Sequence, residues 1–156
     1  MKQTIQLSVL LLTTTTTLTF FSCKKDKDDS DPIKAKTELI MTGSWTLAAY
    51  TINPALTVNG ETNLYTNWPA CRKDDFHTFK TNGVVEVNHG PTKCSAADAQ
   101  VVNWAWSFSN PTATTMMYDG NEYTIEELSA TTLRIRHAYF NVSTAKFHVK
   151  ELIYKH

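Results

Sequence analysis

Asp75-Phe76-His77-Thr78-Phe79-Lys80-Thr81-Asn82-Gly83-Val84-Val85-Glu86-Val87-Asn88 is the stretch on which the fold turns. On each side of Asn82-Gly83, apolar or aromatic residues alternate with polar ones, the period of a half-buried strand. A tight hairpin turn needs positive φ, which Asn and Gly tolerate better than other residues. The stretch therefore reads as strands at residues 75–80 and 84–88 joined in an antiparallel hairpin.

The same pattern recurs outward in both directions. Residues 45–52 read as a first strand. Residues 101–108 and 114–118 flank Asn110-Pro111, Asp119-Gly120 joins the latter run to 122–127, and residues 132–140 and 145–154 flank a polar turn. The expected count is seven strands, with an eighth sought in the polar segment 62–67, where Leu64 and Tyr65 stand. Short links make sequence neighbours antiparallel neighbours in space. Such a meander is all-β and closes into a single up-and-down barrel of about eight strands, which removes exposed edges; a two-sheet sandwich is the alternative. Upstream, Ile33, Ala35, Leu39 and Ile40 follow Pro32, which suits a first helical turn. They predict a short helix over 33–41, ended by Gly43. No internal repeat or second domain is visible.

The chain start differs. Met1-Lys2-Gln3 is short and basic, residues 5–21 are uncharged and rich in Leu and Thr, and Ser22-Cys23 precedes Lys24-Lys25-Asp26-Lys27-Asp28-Asp29. That order is the pattern of a secretory signal. The segment Leu18-Thr19-Phe20-Phe21-Ser22-Cys23 resembles a bacterial lipoprotein box, with Phe20 and Phe21 where Leu and a small residue are usual. The resemblance implies cleavage before Cys23 and acylation of it, and more than one acyl chain gives a stable membrane anchor. The organisation expected is a signal peptide at 1–22, a charged flexible tether at 23–32 and one domain at 33–156. Lys24 behind the acylated residue resembles sorting to the outer membrane of a Gram-negative cell, facing either the periplasm or the outside. An ordinary signal peptide with a chance cysteine is the alternative.

Setting Cys23 aside leaves Cys71 and Cys94, an even pair in an oxidising compartment, so a disulfide bond is expected; two unpaired thiols are the alternative. The whole chain has 15 basic and 15 acidic residues. Removing residues 1–22 takes Lys2 and leaves a net charge of −1, which gives no general attraction to nucleic acid.

Gly43-Ser44-Trp45, opening the first strand after a short helix, resembles the Gly-x-Trp signature of lipocalins. The wider order is similar to lipocalin-like domains of bacterial lipoproteins: Cys71-Arg72-Lys73-Asp74-Asp75-Phe76 leading to Phe79, Asn82-Gly83, Cys94, residues 104–108, Tyr123-Thr124-Ile125-Glu126-Glu127-Leu128 and Leu133. The resemblance implies an eight-stranded barrel whose mouth takes an apolar molecule. It also implies that Gly43 and Trp45 are structural, with Trp45 at the closed end beneath an Arg from a late strand, either Arg134 or Arg136.

Alternation puts Val102, Trp104, Trp106 and Phe108 on one face of their strand. The favoured reading is that they fill the interior as core, since an eight-stranded barrel is just wide enough for that. The alternative is that Trp104, Trp106, Phe108, Met116 and Tyr123 line an apolar cavity. Tyr50 and Tyr139 could also offer hydroxyls. The polar loop 53–70, with Trp68-Pro69, reads as a lid over the mouth or as a surface excursion stapled by the disulfide. Asn141-Val142-Ser143 reads as a turn.

Catalysis finds little support. The five histidines are scattered without metal-ligand spacing, and Glu126 and Glu127, adjacent in a strand, should face opposite sides. No enzyme activity, metal or cofactor is expected. The function expected is that of a monomeric envelope lipoprotein binding a small apolar ligand. The alternative is an envelope interaction or structural protein with a filled barrel and an exposed aromatic patch at Tyr65 and Trp68.

Overall fold

The computed structural model describes residues 32–57 and 60–156. The signal segment, Cys23 and the tether lie outside the described residues. Helix α1 spans Pro32–Ile40, as the sequence predicts to within a residue. Lys36 Nζ donates to the carbonyls of Thr112 and Ala113 at 3.1 and 2.9 Å, which pins the helix across one end of the molecule. Gly43 follows at φ +68°, and a Cβ there would lie 3.0 Å from the His156 ring. Conformation and crowding both demand glycine at this helix exit.

Eight strands follow: β1 (Trp45–Asn53), β2 (Phe76–Phe79), β3 (Val84–Asn88), β4 (Val101–Phe108), β5 (Thr115–Tyr118), β6 (Asn121–Leu128), β7 (Thr132–Asn141) and β8 (Lys146–Lys155). They pair antiparallel in chain order, and β8 returns to β1 to close the barrel. The sandwich alternative is thereby excluded. The periodic runs supply all eight strands, which corrects the count of seven. Residues 62–67 add no strand, because this polar segment makes only one isolated bridge, Asn63 to Thr51. It still has a use. The upper part of β1 has no β2 residue beside it, and the Thr62 carbonyl and Tyr65 amide take up the free Ile52 amide and Tyr50 carbonyl there.

The turns follow their chemistry. Gly83 has φ +74°, and Asp119 and Gly120 have φ +47° and +71°, both positive as a two-residue hairpin turn requires. At Asn141 the side-chain oxygen accepts from the amides of Ser143 and Thr144 at 2.9 and 3.2 Å, so the glycosylation-like triplet is a turn. One local feature departs from expectation. A bulge between Ile125 and Glu127 leaves Glu126 outside the β6–β7 register. Both Glu126 and Glu127 are consequently exposed instead of facing opposite sides.

The helix end of the barrel is filled. Ile40, Trp45, Phe79, Val85, Trp106, Met116, Leu133 and Ile135 are buried in one cluster. Trp45 Nε1–H donates to the Ile40 carbonyl at 2.8 Å, and Trp106 Nε1–H to the Lys80 carbonyl at 3.1 Å. Neither indole therefore leaves its N–H stranded. The ring lying against Trp45 is that of His156, with centroids 3.8 Å apart. Arg136 is exposed on the outer surface, 3.4 Å from Glu126 and 3.9 Å from Glu151, so it does not cover Trp45. Arg134 follows the same outward alternation, and its buried Nε has no hydrogen-bond partner among the described residues.

At the opposite end stand the loops after β1, β3, β5 and β7. Cys71 and Cys94 are bonded, with Cα atoms 5.1 Å apart, and tie the β1–β2 loop to the β3–β4 loop. Closing a loop of 23 residues restricts the unfolded chain by about 3 kcal/mol on the chain-entropy account.

Candidate functional site

A cavity of about 170 Å³ opens at the loop end, above the filled half. β1 contributes Leu47 and Tyr50, β2 His77, β4 Trp104, β5 Tyr118, β6 Tyr123, and β8 Lys150, Leu152 and Tyr154; Trp68, Arg72, Asp75 and Asp119 border it from the loops. All the strand residues occupy inward slots of the alternation. The two readings of the Trp104 face each hold for half of its length. Trp104 borders the cavity, while Trp106 packs edge-on to Phe79 at 5.2 Å and to Phe108 at 5.5 Å in the filled half, where Met116 is fully buried. Of the five predicted contacts, the structure brings Trp104 and Tyr123 to the cavity and leaves Trp106, Phe108 and Met116 below it. Met117 points outward.

The depth of the cavity is not purely apolar. Tyr118 Oη lies 2.6 Å from His77 Nδ1 and 3.5 Å from Tyr154 Oη. Burial pushes the His77 imidazole down to about 4, with His89 nearby adding to the effect, so the ring is neutral near pH 7. Burial also raises the Tyr118 phenol far above its ordinary value, so it keeps its proton. The Tyr118 O–H is then the natural donor to His77 Nδ1, which leaves the His77 proton on Nε2. Nε2 has no hydrogen-bond partner among the described residues, and the ring borders the cavity. Burial first of all raises Tyr50 and Tyr123 and pushes Tyr154 up to about 12. At neutral pH every cavity phenol is an uncharged donor.

Charge enters nearer the mouth. Lys150 Nζ sits 5.2 Å from the centre of the Tyr123 ring, a cation–π contact. Partial burial lowers its pKa, opposed by the negative charge of Asp119. Asp75 is engaged by His89, whose Nδ1 is 3.2 Å from both carboxylate oxygens.

Trp68 is not an exposed patch. It is half-buried, edge-on to Tyr50 at 5.5 Å, and forms part of the cavity wall. Tyr65 packs against the core cluster, with Lys73 Nζ 4.8 Å from its ring centre. The loop after β1 thus supplies one side of the mouth. His148 is fully buried and satisfied, donating from Nδ1 to the Pro54 carbonyl and accepting at Nε2 from Thr144, both at 2.7 Å. Among the described residues no three His, Cys, Asp or Glu side chains converge as a metal site, and no helix is long and apolar enough to cross a membrane.

A family model described as a lipocalin-like domain matches residues 41–135, more than half of the chain. Among solved structures, a bovine odorant binding protein deswapped triple mutant aligns at 13% identity with a TM-score of 0.41, covering 75% of this chain and 74% of that one. No curated protein matches the chain.

Proposed function

This chain belongs to the lipocalin-like domain family, and we propose that it is an envelope lipoprotein whose barrel holds one small, largely aromatic or apolar molecule at its loop end. The observation that carries this reading is the ring-walled cavity above a filled lower half. Its size sets the ligand scale. An apolar cavity of about 150 Å³ admits benzene, so about 170 Å³ takes a single ring or the end of a longer molecule. A larger ligand would have to project between the loops.

Calorimetric titration of the purified protein with 2-phenylethanol tests the binding site. Leu152→Trp fills the cavity and should weaken that binding at least about tenfold, the worth of one well-buried group. Equal affinity in the folded variant would remove this cavity as the site.

The envelope placement draws on the Cys23 box and the charged segment behind it. Cells making the natural sequence should carry the protein in the outer-membrane fraction, and Cys23→Ser should release it as a soluble species. Retention of that variant in the membrane would contradict anchoring through acyl chains. The second reading, a protein-interaction role, is favoured by one feature. Phe140, Val142 and Phe147 at the β7–β8 hairpin are 51%, 83% and 71% exposed.

A further inference from the structure

The two cations beside the cavity form no ion pair among the described residues. Lys150 is half-buried on an inward slot of β8, and no carboxylate among the described residues lies within ion-pair distance of it. Arg72 ends the short 3₁₀ turn Ala70–Arg72, held in place by the neighbouring Cys71 disulfide, and its guanidinium likewise forms no ion pair among the described residues. Partial burial of an ammonium beside Leu152 and aromatic rings costs free energy unless an acceptor meets it. The Tyr123 face offsets part of that cost but supplies no acceptor for the ammonium hydrogens.

The acids at the same mouth are not paired with these cations. Asp75 is turned to the His89 ring, whose Nδ1 lies 3.2 Å from both of its oxygens. Asp119 is at an exposed turn, so its charge reaches Lys150 only at a distance and weakened by water. The same cavity is walled by the rings of Trp104, Tyr118 and Tyr123. An aromatic body therefore fits the walls, and a negative group fits the mouth.

We infer that the preferred ligand is a small aromatic carboxylate, its ring among Trp104, Tyr118 and Tyr123 and its carboxylate at Lys150 and Arg72. This rests on the reading of the cavity as a ligand site. A cationic ligand would meet both positive groups, and a neutral one would leave them unanswered.

Three probes of one shape separate the outcomes: phenylacetate, 2-phenylethanol and 2-phenylethylamine, titrated calorimetrically into the purified protein at low salt. Phenylacetate should bind at least about tenfold tighter than the alcohol, the scale of one charge-assisted hydrogen bond, and the amine weakest of all. In Lys150→Met the ratio of phenylacetate to alcohol affinity should fall toward one, and in Arg72→Gln it should fall in the same direction. Equal affinity for all three probes, or a ratio unmoved in both variants, overturns the carboxylate assignment and leaves the binding site standing. Failure of all three to bind overturns the site itself.

Discussion

Trp45→Ala is expected to lower the free energy of unfolding by about 3–5 kcal/mol, the range for removing a large aromatic side chain from a packed interior. Trp45 has no solvent exposure. It sits where α1 meets the barrel, in the same buried cluster as Ile40, so its loss opens a void between them. The change also strands the Ile40 carbonyl, which now accepts the indole N–H at 2.8 Å. The His156 ring, 3.8 Å from the indole, would lose its platform. Trp45→Phe keeps most of the volume and should cost clearly less. Urea unfolding followed by far-UV circular dichroism measures both, and a loss below about 1 kcal/mol for the alanine variant would show that the closed end does not depend on this residue.

Acidification should destabilise the protein through His77 by about 3–4 kcal/mol. The imidazole titrates near 4 in the folded barrel, against 6.5 in the unfolded chain. Unfolded molecules therefore take up the proton first as pH falls. Stability is complete above about pH 6.5, declines from there to about pH 4, and levels off below it, with each unit of difference worth about 1.4 kcal/mol. Burial is the main cause, and the neighbouring His89 acts in the same direction. Other groups also titrate in this window, so the comparison is with His77→Gln, which keeps a polar group near Tyr118 and cannot take up the proton. The gap between wild type and variant should change by about 3 kcal/mol from pH 7 to pH 4, measured by urea unfolding at each pH. Parallel pH profiles for the two proteins would contradict a buried, neutral His77.

Much of the barrel is written in local pattern. Asn82-Gly83 and Asp119-Gly120 mark their hairpins because positive φ narrows the choice of residue. The alternation of β4 puts Trp104 and Trp106 inward, as their burial shows. The height at which packed core gives way to cavity is not local. It depends on α1 and the helix-end turns filling one end while the disulfide-held loop leaves the other open. His77, Tyr118, Lys150 and Tyr154 lie on the same inward parity as Phe79, Met116 and Leu152, so their direction was legible. Their meeting at one depth was not, since strand stagger sets it. Trp68 shows the same limit. A tryptophan in a polar loop reads as exposed, and only the packing against Tyr50 turns it inward. The β6 bulge that turns Glu126 and Glu127 to the same side has no glycine to announce it.

The indole N–H signals report on the loop-end site, because the four tryptophans divide between the two halves. Trp68 and Trp104 border the cavity, whereas Trp45 and Trp106 hold hydrogen bonds to Ile40 and Lys80 in the packed half. In a ¹H–¹⁵N correlation spectrum titrated with phenylacetate, the Trp68 and Trp104 indole peaks should move saturably while those of Trp45 and Trp106 stay in place. Four unmoved peaks at saturating probe, or equal shifts of all four, would contradict a ligand site in the loop end of the barrel.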